Sequence, residues 1–130
     1  MTIFSKIIAG EIPAYKIAED ADFFAFLDIF PLREGHTLIV PKIEVDNFFD
    51  MSGADMSKIL LFAQPIARAI ERAFPCARCG MAVIGLEVPH AHLHLVPIDG
   101  ADDLNFTRHK LKLSPAQLKA SQEKLVAQLG

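Results

Sequence analysis

Three of the chain's five histidines stand at alternate positions in the run His90-Ala91-His92-Leu93-His94-Leu95-Val96. Side chains alternate faces along a strand. The spacing therefore predicts three imidazoles on one face, with Ala91, Leu93 and Leu95 turned into a core on the other. Residues two apart lie about 6.5–7 Å apart along a strand, which sets the outer pair about 13 Å apart. One metal ion with Zn–N bonds of about 2 Å cannot readily take all three, although two of them could join a distant third ligand. The spacing is better suited to attack on an extended anion. A neutral imidazole is a nucleophile near its ordinary pKa of about 6.5, provided one ring nitrogen is free and the other is held by an acceptor. Its neighbours can then stabilise charge on a phosphoryl group. The plainer alternative is three structural or solvated histidines. Burying several imidazoles without partners is costly, however, and a surface strand has no need of three. His109, between Arg108 and Lys110, belongs to no such pattern and reads as a solvated loop histidine. Cys76-Ala77-Arg78-Cys79 has C-x-x-C spacing but stands alone, after Pro75 and before an apolar run. Zinc would need two more ligands and a redox site a strand-to-helix turn, so the pair reads as two reduced structural thiols.

The elements that must position these groups follow from the rest of the chain. Its 130 residues suit a single domain over residues 1–130, and 52% hydrophobic content with 22% charge is enough for one ordinary core. The net charge of −3 and the lack of a basic stripe argue against a nucleic-acid partner, and any phosphate must be attracted by local groups. No apolar run approaches the roughly 20 residues a bilayer requires, and Met1–Ile8 lacks the pattern of a secretory peptide. The expectation is a cytoplasmic protein with no membrane partner. Residues 2–8 predict a short helix, and residues 15–19 and 23–27 two strands. Asp28 to Gly35 predicts a loop, and His36–Val40 a β-branched strand stopping at Pro41. Ser52 predicts the cap of a long helix, with a kink or break at Pro65. Gly80–Leu86 and Ala91–Val96 read as two more strands, and Ser114-Pro115 as the start of a C-terminal helix reaching about Leu129. This order of elements, joined by short turns, predicts an α+β fold with an antiparallel sheet.

With these segments in view, the sequence resembles the histidine triad (HIT) family over nearly its whole length. The carriers are the H-x-H-x-H run, Ile3–Ala14, Ala25-Phe26-Leu27-Asp28-Ile29-Phe30-Pro31, and Gly35-His36-Thr37-Leu38-Ile39-Val40-Pro41-Lys42. Four matching segments in order are far more specific than the triad alone. The resemblance implies a five-stranded antiparallel sheet with a long central helix and a C-terminal helix, usually as a homodimer. It also implies a small-molecule purine nucleotide as ligand, and no cofactor. By position, His92 matches the nucleophile that attacks the α-phosphate, His90 and His94 its flanking histidines, and His36 a fourth active-site histidine. Asp28 matches the residue that binds the ribose hydroxyls, and Phe4, Ile7 and Ile29 the apolar base pocket, with Phe26 at its border. A carboxylate suits two vicinal hydroxyls, and an apolar cleft suits a flat base.

The sequence departs from the family pattern in three places. Several members bind zinc through cysteines flanking the phenylalanine at position 4; here the segment is Thr2-Ile3-Phe4-Ser5. Glu44 stands where a histidine often follows the Pro-Lys pair. No metal is therefore expected. Before the triad, relatives carry an Ala-Gly-Gln run preceded by an asparagine. Here the run is Ala82-Val83-Ile84-Gly85-Leu86-Glu87-Val88-Pro89, and Leu86 cannot hydrogen-bond phosphate. Glu87, if aimed at the site, would repel an anion or act as an acid. Two functions are therefore expected to compete: a hydrolase or transferase of nucleoside phosphoramidates or dinucleoside polyphosphates, and a nucleotide-binding module with little or no catalysis.

Overall fold

Each α-helix among the described residues begins at a hydroxyl side chain that accepts the backbone N–H three residues on. Thr2 caps α1 (Ile3–Ile8) through Ser5, Ser52 caps α2 (Gly53–Ala73) through Asp55, and Ser114 caps α3 (Pro115–Ala127) through Gln117. Gln117 reciprocates by accepting the Ser114 N–H. The computed structural model describes residues 1–129. Its strands are β1 (Lys16–Glu19), β2 (Phe23–Leu27), β3 (Thr37–Pro41), β4 (Arg78–Ala82) and β5 (Leu93–Ile98). They form one antiparallel sheet in the order β1-β2-β3-β5-β4, the five-stranded α+β arrangement the sequence predicts. No described helix is long and apolar enough to cross a membrane.

The alternation of each strand divides the sheet into two faces. Phe23, Ala25 and Leu27 of β2, Ile39 of β3 and Leu93 and Leu95 of β5 pack with Ile59, Ala63, Ile66 and Ile70 of α2 and with Leu118 and Leu125 of α3. On the opposite face Phe24, Phe26, Leu38 and Val40 pack with Phe4 of α1 and the half-buried Ile7. The second face carries the histidines.

Two expectations are corrected. The long helix runs through Pro65 without a break. Pro65 lies on the exposed side, and Leu61, whose carbonyl loses its donor, is 70% exposed; water can take that carbonyl. The last two strands are also displaced, to Arg78–Ala82 and Leu93–Ile98, so only His94 of the triad lies within the sheet. Register explains the late start of β5. Leu38 pairs with His94 and Ile39 with Leu93, so continuing the ladder would set Pro41 opposite Ala91, and proline has no N–H to offer. The Ala91 N–H turns instead to the Val45 carbonyl, 2.6 Å away.

The β2–β3 loop, residues 28–36, is closed at its base by Asp28 N–H donating to the His36 carbonyl at 3.0 Å. Gly35 makes its last turn possible. Its φ is +97°, and a Cβ there would sit 2.7 Å from the ring of Phe74, just past the end of α2. Only glycine meets both conditions.

Candidate active site

His92 and His94 face the same way although only one of them is in a strand. Their rings lie 4.9 Å apart, edge to face. His36, brought in by the start of β3, adds a third ring 5.1 Å from His94. Asp28 Oδ2 approaches His36 Nε2 to 3.7 Å. His92, His94, His36 and Asp28 are thus brought together from three chain segments. His90 is held behind them. It has no exposed surface, its Nε2 donates to the Pro41 carbonyl at 2.8 Å, and its Nδ1 meets Thr2 Oγ1 at 2.7 Å.

Backbone groups dictate where the ring protons sit. The Leu32 N–H donates to His36 Nδ1 at 3.1 Å, so the proton of His36 is on Nε2. That N–H donates to His94 Nδ1 at 2.9 Å, which leaves the His94 proton on its own Nε2. On His92, Nδ1 lies 2.8 Å from the carbonyl oxygen of His90. Nδ1 therefore carries the proton and donates it, and Nε2 keeps a free lone pair. No buried side-chain nitrogen or oxygen among the described residues lacks a partner. His92 Nε2 and His94 Nε2 have none, so both open to solvent.

Burial holds His36 and His94 down to about 3, and charge on neighbouring histidines and on Lys110 pushes the same way. His92 is lowered too, by burial first, against the opposing pull of the His90 carbonyl. All three are neutral at neutral pH. Burial raises Asp28, and the Phe30 N–H it accepts at 2.9 Å partly offsets this. With His36 uncharged and its N–H committed to His94, the Asp28–His36 approach is not an ion pair.

The ligand atoms of Asp28, His36 and His94 lie within 4.8 Å of one another, a set with one triad histidine where the sequence left open a pair of them. The donor chemistry opposes it. A cation would need the lone pair of His36 Nε2, but the Leu32 N–H fixes the proton there. The zinc positions of the family fit no better. Thr2, Ser5 and Glu44 offer two neutral hydroxyls and one carboxylate where zinc takes thiolate and imidazole.

Of the expected apolar wall, Phe4 and Phe26 are buried and meet edge to face at 5.5 Å. Phe4 also stands 5.1 Å from the His92 ring. Ile7 packs beside them, whereas Ile29 lies outside, 49% exposed on its loop. A cavity of about 330 Å³ reaches His92 from another side, lined by Phe48, Phe49, Val83, Ile84 and Leu86. Leu86 is 88% exposed. Glu87 is exposed and does not line this cavity.

Sequence reasoning missed Phe106. Its ring covers His94 at 4.6 Å and His36 at 6.0 Å, edge to face. It lies in the irregular stretch 105–113, which no periodicity marks. That stretch is anchored by Leu111 N–H to the Pro31 carbonyl and by Arg108 to the Leu32 carbonyl and to Asp103. Asp103 also pairs with Arg33 at 2.9 Å. The N–H of Asp99 above all, with those of Gly100 and the two arginines, pulls its carboxyl down to about 2. Cys76 and Cys79 are free thiols away from this site.

The HIT domain model matches residues 9–101. The chain is 35% identical to an uncharacterised HIT-like protein of Borreliella burgdorferi over 125 residues, 90% of each chain. It is 30% identical over 129 residues to an adenosine 5'-monophosphoramidase of Schizosaccharomyces pombe, covering 98% of this chain and 97% of that one. Among solved structures it resembles a zinc-bound histidine triad family protein from Mycobacterium smegmatis, with a TM-score of 0.82, 32% identity, and coverage of 98% and 91%.

Proposed function

The chain belongs to the histidine triad family, and from that premise we propose that it is a hydrolase or transferase of small purine nucleotides that works through a nucleotidyl-histidine on His92. The observation that carries the proposal is the state of His92: a neutral ring, Nδ1–H held by the His90 carbonyl, and Nε2 unprotonated and open. In the first step Nε2 forms a bond to the α-phosphorus of a nucleoside phosphoramidate or dinucleoside polyphosphate. The bond from phosphorus to the leaving amine or phosphate breaks, and the leaving group takes its proton from solvent. The imidazole gains positive charge as the new bond forms, and the His90 carbonyl, already accepting from Nδ1, stabilises that charge. His94, with its proton on Nε2, donates to a phosphoryl oxygen, and His36 keeps it in that tautomer. In the second step water attacks phosphorus and gives up a proton to solvent, the bond to His92 breaks, and the nucleoside monophosphate leaves.

Asp28 accepts from the ribose hydroxyls through the oxygen its Phe30 contact leaves free. Phe4, Ile7 and Phe26 form the apolar wall for the base, with Ile29 on the adjoining loop. His90 acts through its backbone carbonyl. The working form is a homodimer, for which the exposed sheet-edge strand β4 is available.

Replacing His92 with Ala should abolish turnover while a purine mononucleotide still binds, as read by steady-state kinetics and calorimetry. Near-normal turnover in that variant would reject the mechanism. A second reading, a binding module with little catalysis, is favoured by exposed Leu86 standing where an amide is expected. A panel of adenosine and guanosine phosphoramidates and dinucleoside polyphosphates separates the two: tight binding with no product from any of them would select the module.

A further inference from the structure

Behind the site, hydrogen bonds on both sides of Thr2 link the surface carboxylate of Glu44 to His90. Glu44 accepts from the Ser5 hydroxyl and, at 3.1 Å, from the Thr2 backbone N–H. Thr2 Oγ1 lies 2.9 Å from Ser5 Oγ and 2.7 Å from His90 Nδ1. His90 Nε2 donates to the Pro41 carbonyl. Because Nε2 carries the proton, Nδ1 is an acceptor and the Thr2 hydroxyl donates to it. These contacts tie the head of α1, the end of β3 and the segment after it to the turn before β5. The Ser5 hydroxyl and Thr2 N–H hold the Glu44 carboxyl below its ordinary range.

These are the positions at which zinc-binding members of the family place metal ligands, and the residues here do not suit zinc. We propose that Thr2, Ser5 and Glu44 form a metal-free staple that positions His90 and, through the His90 carbonyl, the imidazole of His92. The need for such a staple is visible in the chain path. The sheet ladder stops at Leu93, so no strand neighbour fixes the backbone at 90–92. Two main-chain bonds steady it, His90 N–H to the Val88 carbonyl and Ala91 N–H to the Val45 carbonyl. The second also orients the His90 carbonyl, because that carbonyl and the Ala91 N–H share one planar peptide group. Fixing the His90 ring at both nitrogens holds the other end of that unit, the His90 Cα, in place. The same staple anchors α1, whose Phe4 ring touches both His90 and His92. Thr2, Ser5 and Glu44 are therefore positioning residues and touch no reacting atom.

The proposal builds on His92 being the nucleophile, so its test includes a readout that does not depend on turnover. Thr2→Val removes the hydroxyl at nearly constant shape, and Thr2→Ser restores it. The expected result is a drop of about tenfold in kcat for Thr2→Val with KM within about twofold, and recovery to within about twofold in Thr2→Ser, the size of effect a small misplacement of a reacting group produces. In parallel, imidazole nitrogen NMR should show the His90 and His92 ring signals displaced in Thr2→Val and restored in Thr2→Ser. Unchanged ring signals and unchanged kcat, even with a lowered melting temperature, would overturn the proposal and leave the three residues a helix cap. If the wild-type protein turns over none of the substrates, the ring signals alone decide for or against the staple, while the catalytic reading falls separately. Should Thr2→Val fail to fold, Ser5→Ala and Glu44→Gln, which keep the Thr2 hydroxyl, are read by the same two measurements, with smaller displacements in the same direction expected.

Discussion

Leu93 and His94 are neighbours in β5, almost equally buried, and they face opposite sides of the sheet under different rules. On the side of α2 and α3, burial is apolar but for the Thr37 and Ser121 hydroxyls: Ile39, Leu93 and Leu95 meet Ile59, Ile66 and Ile70 and need no polar partner. On the other side Phe4, Phe26, Leu38 and Val40 share the space with His36, His90, His92 and His94, none more than 7% exposed. Imidazoles can be buried there because the main chain supplies partners: the Leu32 N–H, the His90 carbonyl and the Pro41 carbonyl. One face uses burial to gain stability. The other uses it to keep three rings neutral and to fix their tautomers.

The sharpest way to break this contrast is His92→Ala. Turnover should fall by about a thousandfold or more, while stability to denaturant changes by less than about 1 kcal/mol; a large loss of stability would mean that the histidine face is also structural core. Its mirror is Leu93→Ala, expected to cost about 2–5 kcal/mol in urea unfolding and to leave kcat of the folded fraction nearly unchanged.

The third experiment uses pH. His36 and His94 titrate near 3 in the folded state and near 6.5 when unfolded. As pH falls below about 6.5 the unfolded chain takes up these protons first. Stability should therefore decline between about 6.5 and 3, at up to about 1.4 kcal/mol per pH unit for each proton, and these two groups should add no further loss below about 3. Unfolding curves of His94→Asn against wild type isolate the contribution, and parallel pH profiles would contradict it.

A smaller effect is expected at Phe106→Ala. Uncovering His94 and His36 should raise their proton affinity, move the acid limb of the rate profile upward and lower turnover severalfold. The smallest concerns the thiols. Burial, with the charge of Glu71, pushes Cys79 up to about 12 and raises Cys76 as well, so alkylation at pH 8 should be slow and turnover unaffected.

Much of the first face was legible in the sequence because alternation and helical period are properties of consecutive residues. Ala91, Leu93 and Leu95 fall on the core side as their spacing requires, and Ser52, Ser114 and Pro115 mark their helix starts. The second face was legible in its residue types and less so in its geometry. The H-x-H-x-H spacing assigned all three rings to one strand, but Pro41, in a different strand, ends the ladder before His92. That conflict appears only once the register is known. Phe106 and the Thr2–Ser5–Glu44 staple depend on contacts between distant segments and leave no periodic trace. Pro65 looked like a helix breaker because a proline removes one backbone hydrogen bond wherever it stands, and only the fold shows that the Leu61 carbonyl it frees is open to water.

The Leu32 N–H holds a last consequence. It donates to His36, which donates to His94, so the direction of both ring bonds follows from one peptide group. Every other member of that line can change its proton inventory with pH; a peptide N–H does not. The sense in which hydrogen points along the line is therefore written into the main chain and holds for as long as both rings stay neutral, down to about pH 3. Side-chain replacement at position 32 leaves that instruction intact, and only proline erases it.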